Sequence, residues 1–469
     1  MASKARLGRG VGLALALALL LVPCGPTRSF AQSSATPAQE VLPLGEAIAR
    51  AREHAPEVVN ARRSAERAAL SVESAEIALK PSASASATAV GSDGAGGGRV
   101  SLSGSGTLGP GVTWNLSAAA SRQSGPLGLQ GFNDPLSATL SVSVRLWPPG
   151  SDGEAWRTLS TRRSELDLAL ERLAQAQRNA QVSAAEAYGR LAIARARLAL
   201  AVEAHASAAR ELDRILDLKA RGMVSDADVI RAQITLLEQE GAVINQRENV
   251  ASLTETLAEL VGLPVAAVAE LGLEEVGDTG DGWTPPDKHA AMERAIAAST
   301  AVMAAARSLE SAKESLEVLR REGGASLSVG GSISGGAGDP VDWTVRVDGS
   351  YALFDSGAHA NRVASAERSV AEAEIALDAA IEEVAKAVET AYRDLASAER
   401  SVAIAAATVS LRTREAEIGA EQAARGLISD TALARLERDA RSAQLDLENA
   451  KLTQRIALMK LKVLLGLDP

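Results

Sequence analysis

Aromatic side chains are nearly missing from this chain: five Trp, three Tyr and three Phe in 469 residues. A compact domain of that length usually draws much of its packing from rings. The core must instead rest on Ala and Leu, which suits close helix–helix contact. Cysteine occurs once, as Cys24, so no disulfide framework is available. The four histidines (His54, His205, His289, His359) are scattered and fit no metal-binding spacing. Positive charge is in deficit, with a formal net charge of −10, which argues against a nucleic-acid partner. No nucleophile constellation or acid–base pair stands out, so neither a catalytic site nor a cofactor is expected. Gly104, Gly106 and Gly109 fit GxGxxG, but they lie in a Ser/Gly-rich strand with no helix after it. Asn115-Leu116-Ser117 is a formal glycosylation sequon without meaning in a bacterial host. Beyond the N-terminal leader, no stretch approaches the roughly 18 apolar residues of a membrane-spanning helix. If the protein crosses a membrane, it must do so by strands.

What is present begins with a leader. Lys4, Arg6 and Arg9 precede an apolar run from Val11 to Val22, and Ser29-Phe30-Ala31 supplies a small-x-small site. This reads as a signal peptide over 1–31, cleaved after Ala31. Removing its four basic residues takes the net charge from −10 to −14. Cys24 as a lipidated residue is the alternative, disfavoured by Pro23 where such sites want a small residue.

The chain writes one stretch twice. Ala220-Arg221-Gly222-Met223-Val224-Ser225-Asp226 returns as Ala424-Arg425-Gly426-Leu427-Ile428-Ser429-Asp430, a shift of 204. The same shift carries Ala187-Tyr188 onto Ala391-Tyr392 and Gly262-Leu263 onto Gly466-Leu467. Earlier landmarks repeat at 244: Arg50 on Arg294, Val58 on Val302, Ser64 on Ser308, Ser71 on Ser315. The first half therefore carries 40 extra residues, between about 73 and 188. The repeats are 32–263 and 285–469, joined by a Pro- and acid-rich linker at 264–284.

Helical periodicity predicts helices over 42–79, 154–220 and 226–261, and again over 285–322, 358–424 and 430–465. The long ones measure roughly 100 Å at 1.5 Å per residue. Each half thus supplies one long helix and two of half its length, stacked end to end, with coiled-coil-like apolar spacing. The duplicated turns are reversals at the tips of these arms. Glycine suits the left-handed position past a helix end, and Ser225 or Ser429 can cap the next helix. Tyr188 and Tyr392 read as packing residues.

Between the helices a two-residue period takes over, at 82–147 and 324–354. Leu136, Ala138, Leu140, Val142, Val144 and Leu146 alternate with Ser, Thr and Arg, as do Trp343, Val345, Val347, Tyr351 and Leu353. Weaker alternation occupies 82–90, 99–108 and 111–119. An ordinary β-sandwich would alternate too. Run lengths near 9–11 residues, a polar second face, and six aromatics in or beside the runs (Trp114, Phe132, Trp147, Trp343, Tyr351, Phe354) favour transmembrane strands. Residues 91–98 and 120–135 read as long loops and Leu108–Val112 as a tight reversal. Four strands in the first half, or two strands plus a surface hairpin, are both open.

In this order and duplication the chain resembles the TolC-type outer-membrane efflux proteins. The residues that carry the likeness are Leu44-Gly45-Glu46-Ala47-Ile48 with Pro56-Glu57, and the strand exit Leu353-Phe354-Asp355-Ser356-Gly357. The Ala-Tyr pairs, the two Arg-Gly-x-x-Ser-Asp tips and the Gly-Leu ends complete them. The resemblance implies a mixed, mainly α fold: helical arms forming an α-barrel, and strands contributing to a trimeric β-barrel. It implies a homotrimer in outer-membrane lipid with its helical tunnel in the periplasm, working with a periplasmic adaptor and an inner-membrane pump for efflux or type I secretion. By position, Arg221, Gly222, Met223, Val224, Ser225, Arg425, Gly426, Leu427, Ile428 and Ser429 would dock the adaptor. Asp226, Asp228, Asp430 and Arg435 would line the periplasmic entrance. Asp228 matches the family's Asp-Val, whereas Ala432 takes that place in the second half. Arg435 stands where acids narrow the pore in some members. Two other readings are an outer-membrane-anchored coiled-coil stalk without transport and a soluble periplasmic binding protein. The cargo is not written in the chain.

Overall fold

The computed structural model describes residues 41–92, 95–109, 112–124, 134–147, 154–273, 283–322, 325–336, 340–351 and 356–469. The expected signal segment 1–31 with Cys24, linker residues 274–282, Phe132 and Phe354 lie outside the described residues.

Two long helices dominate: α3 (Glu154–Ala220) and α8 (Ala358–Ala424), each of 67 residues. Each turns back into a helix of about half its length, α4 (Asp226–Val261) after α3 and α9 (Asp430–Leu464) after α8. The stretch expected as one helix over 42–79 is instead a two-residue strand β1 (Val41–Leu42), then α1 (Leu44–His54) and α2 (Pro56–Leu79). Pro56 has no N–H to continue a helix and drives Ala55 to an extended ψ of 137°. The stretch 285–322 divides likewise into α6 (Lys288–Ala298) and α7 (Thr300–Glu322). There Ser299 is extended, with ψ 120°, and its hydroxyl accepts from the N–H of Val302. Pro285 and Pro286 hold off the start of α6 until Asp287, whose carboxylate accepts from the N–H of His289. The linker is partly structured: α5 (Val265–Glu270) leads to β6 (Gly272–Leu273), which pairs in parallel with β1.

The buried core sits where these short elements meet the long helices. Ala47, Tyr188, Leu191, Leu257 and Val261 pack together in the first half. Ala291, Tyr392, Leu395, Leu461 and Leu465 do so in the second, each at the shift of 244 or 204 from its counterpart. The matched tyrosines do more than fill space. The Tyr188 hydroxyl donates to the Leu42 carbonyl at 2.8 Å, and the Tyr392 hydroxyl to the Pro286 carbonyl at 2.5 Å. Each ring therefore pins the chain where its repeat enters. Arg195, whose matched position in the second half holds Glu399, adds a clamp, donating to the carbonyls of Val268 and Leu271 at 2.8 and 2.7 Å. Burial lowers its pKa, yet the charge satisfies the end of α5.

The Gly-Leu ends have a steric cause. Gly262 and Gly466 sit at φ +69° and +73°, and a Cβ there would lie 2.7 Å from the Cβ of His54 and of Ala298. At the tips, Gly222 and Gly426 share the positive φ but face open space. Gly222→Ala should therefore cost only the backbone strain, about 1 kcal/mol. Gly262→Ala should cost at least about 1–3 kcal/mol more, because the partner is a backbone-anchored Cβ. Urea melts of the two variants check this, and equal midpoints would contradict it.

Six strands form one antiparallel sheet in the order β2-β3-β4-β5-β7-β8. Their bounds are β2 (Ser82–Ser92), β3 (Ala95–Gly109), β4 (Val112–Ser124), β5 (Asp134–Trp147), β7 (Ala325–Gly336) and β8 (Asp342–Tyr351). Of the two readings for the first half, four in-plane strands is the observed one. The shift of 244 lays β7 on β2, and the shift of 204 lays β8 on the last ten residues of β5. The extra residues are therefore the β3–β4 hairpin, set between β2 and β5. The long loop expected at 91–98 is corrected: Ser92 pairs with Ala95, and Gly96, Gly97 and Gly98 lie in the ladder. Glycine reads as loop in composition, but its backbone bonds across strands as any other residue does. The loop expected at 120–135 shrinks in the same way, since β4 runs to Ser124 and β5 starts at Asp134.

Candidate functional site

Each tip is closed by its glycine. Met223 N–H bonds the Leu218 carbonyl and Gly222 N–H that of Lys219; Leu427 and Gly426 repeat this on Gln422 and Ala423. These nested bonds satisfy helix-end carbonyls that would otherwise lack partners. They leave Met223 and Leu427 each 69% exposed, while Val224 and Ile428 are half-buried beneath them. Two bare apolar side chains thus project at matched positions.

The electrostatics of the two tips differ. In the first, Asp217 pairs with Arg221 at 2.6 Å, Lys219 with Asp226 at 2.6 Å, and Asp228 with Arg231 at 2.9 Å. The Asp228 carboxylate also accepts from the Ser225 hydroxyl at 2.7 Å and from the Ser225 N–H at 3.1 Å. Asp228 is therefore the reciprocal cap of α4. Ser429 caps α9 directly, accepting from the N–H of Ala432 at 3.2 Å. In the second tip Ala423 and Ala432 stand where Lys219 and Asp228 stand in the first. Among the described residues Arg425, Asp430 and Arg435 form no ion pair. Lys219 and Arg231, which complete these pairs, lie outside the duplicated motif itself. The signal for Lys219 is a charge beside a motif whose second copy has Ala423 there, whereas Arg231 repeats as Arg435 and carries no such contrast.

The hydrogen bond from Lys219 holds the Asp226 carboxyl below the usual aspartate range, and the Ser225 hydroxyl does the same for Asp228. A depressed folded pKa contributes stability above the ordinary aspartate value and loses it as pH falls through the lower one. Both ties therefore hold from pH 7 through pH 5.

The sheet has two unlike faces. Register places Trp114, Val142 and Gly331 in one row, and Val144, Val329 and Val347 in another, all on the apolar face. Trp343, Val345 and Val347 are 62–75% exposed there. The opposite face carries hydroxyls in cross-strand pairs: Ser84 with Ser103, Ser86 with Ser101 and Thr113 with Ser143, each at 2.7 Å. Arg99, Arg145, Arg346, Asp342 and Asp348 share that polar face by register. Among the described residues no helix is long and apolar enough to cross a membrane, and no group of three His, Cys, Asp or Glu could hold a metal.

Two helical hairpins, each a 67-residue helix folded back on one of about half its length, accompany a strand sheet with one apolar and one hydroxyl-lined face, and this architecture recurs in solved outer-membrane channels. Residues 291–467 match the family model described as outer membrane efflux protein. Among solved structures, the Campylobacter jejuni CmeC outer membrane channel aligns over 90% of this chain and 85% of its own, at 14% identity and a TM-score of 0.64. VceC of Vibrio cholerae aligns over 90% and 96%, at 16% and 0.63. The open-state MtrE channel of Neisseria gonorrhoeae aligns over 91% and 89%, at 14% and 0.62. No curated protein matches the sequence. The resemblance to TolC-type proteins thus holds in fold over nearly the whole chain, and in sequence over the second repeat.

Proposed function

We propose that the chain is one protomer of a trimeric outer-membrane duct, a passive export conduit whose helical arms reach into the periplasm. The carrying observation is the two-faced sheet. Its exposed Trp343, Val345 and Val347 suit lipid, and its ladder of hydroxyls suits a water-filled lumen. A coiled-coil stalk would need a closed apolar seam and has no use for the second face. The matching efflux family model over 291–467 supports the same reading.

The tips are the docking surface for a periplasmic adaptor, with Met223 and Leu427 as apolar anchors flanked by Arg221, Val224, Ser225, Arg425, Ile428 and Ser429. Repeated around a trimer axis, acids at the entrance form a ring that favours cations. Asp226 is neutralised by Lys219 and Asp228 serves as a cap, so Asp430, which forms no ion pair among the described residues, is the stronger ring member. Purified protein in planar bilayers should form ion-conducting pores. Asp430→Ala should lower cation preference more than Asp226→Ala. Outer-membrane trimers that conduct no current would rule out the duct. An unchanged reversal potential in Asp430→Ala would rule out the ring.

A further inference from the structure

The six-stranded sheet is open. Among the described residues β2 and β8 each pair with a strand on one side, which leaves a row of backbone N–H and C=O groups along the other edge. Such edges do not persist inside hydrocarbon. We infer that β2 of one copy pairs antiparallel with β8 of the next, Thr88 opposite Thr344, so that all six strands of every copy lie in the barrel wall. This rests on the trimeric duct proposed above and adds the strand count, the seam and its register.

Four observations converge on that seam. Six alternating strands give β2 and β8 opposite directions, so copies join antiparallel without a reversal. The stagger of the sheet sets the offset. One hydrogen-bonded row runs Ser82, Ser105, Asn115, Ser141, Ser332, Thr344, from the first residue of β2 to the third of β8. Bringing the helix-side ends of the two edges level then needs a slip of about six residues, placing Ser82 beside Ser350. An even slip also preserves the pleat. Ser84 and Ser86 meet Asp348 and Arg346 on the polar face, and Ala85 and Ala87 meet Val347 and Val345 on the apolar face. Finally, the apolar side chains are complementary in size: alanines along β2, bulky exposed residues along β8.

A slip of six residues over six strands implies a strand tilt of about 35° from strand spacing and rise, inside the range for membrane barrels. Three copies then make eighteen strands and a backbone diameter of about 33 Å, against about 22 Å for twelve strands at that tilt. The β3–β4 hairpin accounts for the difference. It widens the bore by half and lines the added wall with Ser101, Ser103, Ser105, Asn115 and Ser117.

Cysteine cross-linking tests the seam cleanly, because the only native cysteine lies in the expected leader. Thr88→Cys with Thr344→Cys should give covalent dimers and trimers on non-reducing gels for most of the protein, and neither single variant should. Assembled trimers that cross-link through Ala119→Cys with Thr344→Cys instead would put β2–β3 outside the wall and overturn the inference while leaving the duct intact. Trimers that cross-link through neither pair would also overturn it. Protein that forms no trimer at all would remove the duct itself and this seam with it. As a second measurement, barrel cross-sections by electron cryomicroscopy should show eighteen strands in the parent. Deleting residues 95–134 should leave twelve, with the diameter cut by a third and the cross-link between positions 88 and 344 retained. Twelve strands in the parent would refute the inference.

Discussion

Val347→Arg should destabilise the membrane-inserted protein by about 2–4 kcal/mol, the cost of an arginine on a lipid-facing strand near the bilayer midplane. Thr344→Arg, three residues away on the other face, should cost little. The contrast is sharp because register leaves no freedom. Val347 stands in the row Val144–Val329–Val347, while Thr344 stands in the row of hydroxyls that includes Ser141 and Ser332. Nature has already placed Arg346 on the Thr344 side, directly opposite Gly330, where a long side chain has room. In a soluble sandwich the exposed Val347 would instead tolerate arginine as well as Thr344 does. Reversible denaturant titration from lipid vesicles reads both variants, and equal shifts would reverse the assignment of faces.

Much of this layout was legible in the chain, for identifiable reasons. The duplicated tips were visible because a left-handed glycine followed by a serine cap admits few residue types. The cores are repeats of the same positions, so Tyr188 and Tyr392 stood out among helices that hold almost no other rings. Their hydrogen bonds to Leu42 and Pro286 did not stand out, since the acceptors are backbone carbonyls distant in sequence. The break before Pro56 was a local signal overridden by a strong helical period on both sides of it. The break at Ser299 carries no such signal. At Gly96, Gly97 and Gly98 composition points to a loop because it reports side chains, whereas a ladder is made by the backbone. At the tips, the capping role of Asp228 was hidden behind its family match. Only the geometry shows its carboxylate folded back onto Ser225.

The other large effect belongs to the tips. Met223→Glu with Leu427→Glu should lower export of cargo by about tenfold or more, since each buried anchor at a docking interface contributes on the order of 1–2 kcal/mol. Both side chains are 69% exposed and contribute little to the arms, so trimer content and bilayer conductance should stay at parental levels. That split is what separates docking from folding. The glycines beneath them hold the turns by nested backbone bonds that no side-chain change disturbs. Val224 and Ile428 continue to seal the turns from below. Cargo export by cells and co-purification of the adaptor are the two readouts. Both should fall together in the double variant, with each single variant between it and the parent. A double variant that exports and co-purifies like the parent would overturn the proposed docking at the tips.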